Sequence, residues 1–129
     1  VPLSEVIDSN VDDKYFFSQK AVDGMMRNRE SMNKGRAQNI DEPCNTVGAH
    51  LAKVSLNSTD PVLMVDNKYR RFTPREVARI QSFPETFKLT ESEHAQYKAL
   101  GNAIPPVMFW YIMKSVKSSL CLEGECQKQ

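Results

Sequence analysis

The chain has 129 residues, 40% of them hydrophobic and 26% charged, the make-up of one modest folded domain and not of a disordered or fibrous segment. Its formal charge is +1, so no global basic field marks a nucleic-acid binder, and phosphate contacts would have to come from a local patch. The apolar runs are too short to span a bilayer and no secretory signal is visible. Three cysteines with no CxxC pair argue against a disulfide framework and against zinc, in keeping with a reducing compartment. The chain starts at Val1 and not at a methionine, which reads as an excised or processed piece.

The first 19 residues read as an irregular, polar lead-in. Ser18 then suits an N-cap, and Val22, Met25, Met26, Arg29 and Met32 recur at helical spacing, so a methionine-lined helix is expected near residues 18–33. "NKGRAQNIDEP" follows as a turn-rich loop closed by Pro43. Between Thr46 and Asp66, short β-favouring runs are split by "NSTDP", which predicts two strands joined by a turn, and "DNKYRR" reads as a further turn.

The next segment carries the clearest local signal. In "TPREVARIQSFP", Thr73 can cap, Pro74 takes the first helical position, and Glu76 completes a capping box. Val77, Ile80 and Gln81 share a face and Pro84 stops the chain, which predicts a helix over 74–82. "TESEHAQYKAL" repeats the device with Thr90 and Glu93, predicting a helix over 91–99 that Gly101 breaks. Pro105 and Pro106 open a last helix, 105–119, with Val107, Met108, Tyr111, Ile112 and Val116 in a wide apolar stripe, before a polar, frayed tail.

By residue chemistry alone the site evidence is thin. There is no glycine-rich phosphate loop and no HExxH, and His50 and His94 stand alone, as surface or packing histidines do. Pro43-Cys44-Asn45 has the look of a nucleophile loop, yet nothing near it in sequence would depress the thiol pKa. Two features resist a bland reading. Arg70, Arg71, Arg75 and Arg79 cluster around a sharply capped helix start, and "GNAIPP" makes a tight bend where backbone can approach a ligand.

These two features carry a resemblance. "RRFTPREVARIQSFPETFKL" resembles motif IX of the cytosine-5 DNA methyltransferases, with Arg70, Thr73, Arg75, Glu76, Ala78, Arg79, Gln81, Phe83 and Pro84 matching and Phe72, Ile80 and Ser82 departing mildly. "QYKALGNAIPPVM" resembles motif X through Tyr97, Lys98, Gly101, Asn102 and Ala103, at the family's interval from motif IX. The similarity runs from about Tyr15 to Leu120. The family's cofactor-binding glycine motif, Pro-Cys-Gln loop, Glu-Asn-Val acid and Gln-x-Arg-x-Arg segment do not appear in this chain.

The resemblance implies an α+β fold: a small irregular recognition sheet with flanking helices, and a C-terminal helix that would pack on a missing Rossmann-like methyltransferase domain. It implies two parts, a target-recognition region with motif IX over 1–89, and a motif X segment with the returning helix over 90–129. In the complete enzyme a cytosine is flipped from duplex DNA, a thiolate adds at C6, an acidic residue assists at N3, and S-adenosylmethionine donates the methyl group to C5. That machinery would belong to an N-terminal catalytic portion or subunit, so the isolated chain is expected to be inactive and to supply no catalytic residue and no metal ligand.

Recognition by this chain would use Thr46 and Val47 at the target nucleotide, with Lys34, Arg36, Gln38, Asn39, His50 and Lys53 reaching base edges or phosphates. Arg70, Thr73, Arg75, Glu76, Arg79 and Gln81 would form an internal brace, and Asn102 and Ala103 would contribute to the S-adenosylmethionine pocket. Cys44 becomes an ordinary residue of the recognition region. The partners implied are double-stranded DNA and the catalytic portion, with no membrane. The setting implied is bacterial and intracellular, cytoplasm or nucleoid, in a restriction–modification system. A non-catalytic nucleic-acid-binding module, the small subunit of a split methyltransferase, and an RNA-directed relative stay open as alternatives. In the isolated chain the last helix is expected to expose hydrophobic surface around Val107, Trp110 or Tyr111, or to bury it by self-association.

Overall fold

The computed structural model describes residues 1–27, 37–53, 60–89 and 92–123. The architecture is α+β, and the described residues hold a small three-stranded sheet, four α-helices and short 3-10 turns. The sheet has the order β1 (Ala37–Gln38), β2 (Val62–Val65), β3 (Lys68–Arg70). β2 and β3 pair antiparallel, with Leu63 opposite Arg70 and Val65 opposite Lys68. Asp66 and Asn67 join them with φ of 49° and 61°, the two left-handed residues that a tight hairpin turn demands and that Asp and Asn tolerate. So "DNKYRR" is a two-residue turn followed by a strand, and not a turn throughout.

β1 pairs with β2 in parallel, Ala37 against Val62 and Gln38 against Leu63. This is a second difference from expectation, since Ala37 and Gln38 lie in a stretch read as loop. It explains a third. Residues 46–53, the described part of the first strand expected after Thr46, form no strand, because both edges of β2 are already taken by β1 and β3; residues 54–56 lie outside the described residues. They run irregularly into a 3-10 turn at Leu51–Lys53.

The lead-in is irregular, as expected, but it is not idle. Phe17 N–H donates to Tyr69 O and Arg71 N–H to Tyr15 O, at 2.9 and 3.0 Å, which covers the free edge of β3. Leu3 is inside the core, and Leu3 N–H and Ser4 N–H donate to Glu42 O and Ile40 O.

Helix α1 spans Gln19–Arg27 behind Ser18, whose hydroxyl accepts from Ala21 N–H; Met25 is buried while Met26 is exposed. Arg29 and Met32 lie outside the described residues. Helix α2, Pro74–Ile80, has the full capping box: Glu76 N–H donates to Thr73 Oγ1, and Thr73 N–H donates to the Glu76 carboxylate. It ends in a reverse turn where Ser82 N–H bonds to Arg79 O and Phe83 N–H to Ala78 O, with Ser82 at φ 62°. The left-handed position is one that glycine would normally hold.

Helix α3 spans Glu93–Asn102. Its cap is Ser92 and not Thr90, and Gly101 sits inside the last turn instead of breaking the helix. Helix α4 runs Pro106–Glu123. The core is built by Leu3, Val47, Leu51, Leu63, Phe72, Val77, Ala78, Tyr97 and Leu100. Each large apolar side chain buried there contributes roughly 1.5–3 kcal/mol. Tyr97 O–H donates to Phe72 O, and burial raises the pKa of its phenol.

Helix α4 takes no part in that core. Val107, Met108, Phe109, Trp110, Tyr111, Ile112 and Met113 are all exposed, Trp110 at 55% and Tyr111 at 62%. Seven consecutive apolar residues cover the whole circumference of a helix. No helix among the described residues is long and apolar enough to cross a membrane.

Candidate DNA-recognition site

The segment from Gln38 to Lys53 stands on a frame made by α2, α3 and β3. At its start Gln38 is buried, and its Oε1 accepts from Asn45 N–H at 2.8 Å. That bond turns the chain so that Thr46 is exposed while Val47, next to it, enters the core at 5% exposure. Leu51 is fully buried, and His50 and Lys53 on either side are exposed. Asn39 is exposed, with its Oδ1 accepting from Asp41 N–H in an Asx turn. Among the expected DNA contacts, then, Thr46, Asn39, His50 and Lys53 face solvent, and Gln38 and Val47 anchor the segment from within. Lys34 and Arg36 lie outside the described residues.

Cys44 is half-buried and packs against the core. Burial pushes its thiol up to about 12, which is the reverse of what a nucleophile needs.

A polar brace surrounds the start and body of α2. Arg70 and Glu76 are 1% and 0% exposed and form a two-pronged pair at 2.7 and 2.8 Å. Glu76 also accepts from Thr73 N–H at 2.7 Å and Asp8 N–H at 2.8 Å, so its two oxygens receive four donors. A buried carboxylate is tolerable only when satisfied in this way. Arg79 donates to Asp8, to Val6 O and to Glu85, tying the lead-in to α2. Gln81 Nε2 donates to Leu100 O at 2.9 Å, and Arg75 donates to Phe87 O at 2.9 Å. Glu76 and Arg79 therefore tie α2 to the lead-in and Gln81 ties it to α3, while Thr73 bonds within the capping box.

Residues to which the sequence reading gave no part in the brace complete the frame. Arg71 donates to Ala52 O at 2.9 Å and to Glu93 at 3.0 Å. Glu93 also accepts from Lys14 Nζ and Tyr15 O–H. Burial pulls the Glu93 carboxyl upward, but those hydrogen bonds and the charges of Lys14 and Arg71 outweigh it, and its pKa stands below the usual value. The arginine run was the visible signal for Arg71; the spacing to Glu93 and Lys14 is a product of folding alone. Gly101 lies against the peptide joining Gly48 to Ala49.

Asn102 ends α3 with its side chain exposed, and Ala103 is half-buried beside it. Ala103 also borders an open apolar cavity of about 330 Å³ with Phe83, Phe87, Leu89 and Ala99.

The chain is 41% identical over 81 residues to the type II methyltransferase M.AplI of Arthrospira platensis, an alignment covering 63% of this chain and 24% of that protein. It is 34% identical over 111 residues to M1.ScrFI of Lactococcus lactis subsp. cremoris, covering 79% and 28%. With M.FnuDI of Fusobacterium nucleatum it shares 32% over 112 residues, covering 76% and 32%. It thus spans about a quarter to a third of the length of these curated relatives. In fold it is similar to the S. pombe Dnmt2 methyltransferase, with a TM-score of 0.72 at 19% identity over 93% of this chain and 42% of that one. The Entamoeba histolytica methyltransferase EhMeth gives 0.70 at 18% over 93% and 41%. Residues 4–118 match the C-5 cytosine-specific DNA methylases, and the chain belongs to that family.

Proposed function

We propose that this chain is the DNA-recognising and C-terminal portion of a DNA (cytosine-5-)-methyltransferase acting on duplex DNA in a bacterial restriction–modification system, inside the cell. The observation that carries the reading is the first half of α4, where Val107 to Met113 are apolar around the whole circumference of the helix and all exposed. A helix of that kind is made to be buried. In a chain that spans a quarter to a third of its relatives, the surface that would bury it is the catalytic portion. Residues 1–89 then serve recognition and 90–129 the return to that portion. This division is one of task and not of packing, since Tyr97 and Leu100 share the core with Phe72 and Val77.

In this reading Thr46 is the side chain offered to the target nucleotide, held out by the buried Val47 behind it. His50 and Lys53 stand beside it to reach base edges or phosphates, with Asn39 at the start of the segment and Lys34 and Arg36 contributed by the preceding stretch. Arg70, Thr73, Arg75, Glu76, Arg79 and Gln81 keep the segment rigid, so that little ordering entropy is lost on binding. When bound, S-adenosylmethionine supplies the methyl group, and this chain adds Asn102 and Ala103 to its pocket. The nucleophile comes from the catalytic portion.

The test is complementation. The chain alone, incubated with duplex DNA and labelled S-adenosylmethionine, is expected to transfer no methyl group, and joined to or mixed with the catalytic portion it is expected to methylate cytosine at C5. Transfer by the chain alone, or a joined protein that binds DNA without methylating it, would overturn the proposal; the second outcome would instead favour a non-catalytic binding module.

A further inference from the structure

We infer that Gly101 and Arg71 are positioning residues for target-base engagement: they clamp the two ends of the segment behind Thr46 onto α3, whose last residue is Asn102. The inference rests on the reading of that segment proposed above. At one end Gly101 brings its Cα against the Gly48–Ala49 peptide. A Cβ added at Gly101 would fall on Gly48 O, Gly48 C and Ala49 N, closer than any real side-chain contact. These neighbours are backbone and cannot rotate aside, so the segment itself would have to move. Gly48 is different, for a Cβ there would meet only the tip of the Asp60 side chain, at 3.2 Å.

At the other end the Arg71 guanidinium donates to Ala52 O at 2.9 Å and to Glu93 at 3.0 Å, and so ties the segment to the first turn of α3. The fork of arginine makes both bonds at once, which a single ammonium holds less well. Its plane is set by Tyr15 and Tyr97, whose ring centres lie 5.2 and 5.9 Å away. Glu93 and Gly101 are eight residues apart on α3, roughly 12 Å along its axis. Leu51, fully buried with Tyr97 and Leu100, fills the span between the two clamps.

The consequence is geometric. Thr46 lies two residues before the Gly101 contact, and Asn102 lies one residue after it. One backbone contact thus sets the target-facing residue against the cofactor-facing one. Neither residue is among the DNA or cofactor contacts proposed above. Arg71, moreover, occupies a position of the motif IX pattern that is not specified. A methyl group at 101 would push the 48–49 peptide outward and carry Thr46 with it.

The experiment uses the chain assembled with its catalytic portion, comparing wild type with Gly101→Ala and Arg71→Met. Each is checked for folding by thermal melting. Arg71→Met adds no atom to the core and leaves Glu93 its Lys14 and Tyr15 partners, so it folds even if Gly101→Ala does not, and then decides alone. Readouts are kcat, KM for S-adenosylmethionine, and the fluorescence of 2-aminopurine at the target position, which rises when the base leaves the stack. For either variant kcat is expected to fall roughly 10- to 100-fold with a reduced 2-aminopurine signal, while KM for S-adenosylmethionine stays within about twofold. Unchanged kcat and fluorescence in the folded variants would overturn the inference, as would a raised KM for S-adenosylmethionine with the fluorescence intact. An assembly inactive even with the wild-type chain would overturn the proposed function itself, and this inference with it.

Discussion

Glu76→Gln isolates the electrostatic brace with almost no change of shape. The native carboxylate receives Arg70 Nη2 and Asp8 N–H on one oxygen, and Arg70 Nη1 and Thr73 N–H on the other. Glutamine keeps one acceptor oxygen and replaces the other with an NH2 donor, so two of the four donors would meet another donor. Arg70, 1% exposed, would also keep its charge without a counter-charge. Breaking a buried pair in this way costs about 3–5 kcal/mol, against a total stability of roughly 5–15 kcal/mol for a domain. With a urea m-value of about 1.5 kcal/mol per molar, the unfolding midpoint should drop by roughly 2–3 M. Urea unfolding followed by circular dichroism reads this directly. The double variant Arg70→Met, Glu76→Leu should recover much of the loss, because it removes both charges together. A midpoint lowered by less than about 0.5 M in Glu76→Gln would refute the reasoning, since the pair would then be no better than a surface one.

Three further outcomes are expected. At pH 8 a thiol reagent should modify the exposed Cys121 and leave Cys44 untouched, and Cys44→Ser should preserve methylation by the complete enzyme while Thr46→Trp impairs it; mass spectrometry and a methyl-transfer assay check the two halves. Ser82 Oγ accepts from Val107 N–H in the first turn of α4, so Ser82→Ala should lose about 1 kcal/mol and speed amide exchange at Val107. Ser82→Gly should come out near neutral, because relief of the left-handed backbone offsets the lost bond. Glu93 is held below its ordinary pKa of 4.5, so its contribution is complete above that pH and is lost as pH falls through the lower folded value. An acid titration of Glu93→Gln should therefore show a shallower loss of stability below pH 4.5 than wild type, and an identical slope would count against the Glu93 cluster.

Local chemistry in the sequence was sufficient wherever a structure closes within a few residues. The Thr73–Glu76 capping box needs only two side chains and one turn of helix, and it formed as read. The helices at 74–80, 93–102 and 106–123 followed from proline, capping residues and apolar spacing, with ends displaced by a few residues. The family, too, was legible, because the two stretches that carry the resemblance, 70–89 and 96–108, are contiguous strings. The exposed apolar surface of α4 was legible for a different reason: a wide apolar stripe with no partner in the chain announces that something must cover it.

What tertiary structure decided depends on elements that meet only in space. Of the first strand expected after Thr46, residues 46–53 are not extended into the sheet, because β1 and β3 already occupy both edges of β2, a competition that no local pattern reveals. Val47 and Thr46 read alike as candidate contacts, yet the Gln38–Asn45 bond sends one inward and the other to solvent. The contacts of Gly101 with the 48–49 peptide, and of Arg71 with Ala52 and Glu93, likewise join residues that meet only in space. Sequence determines which bonds a residue can make with its neighbours along the chain. Packing determines which side chains are desolvated together, and burial is what turns Arg70 and Glu76 from two surface-type charges into the brace of the site.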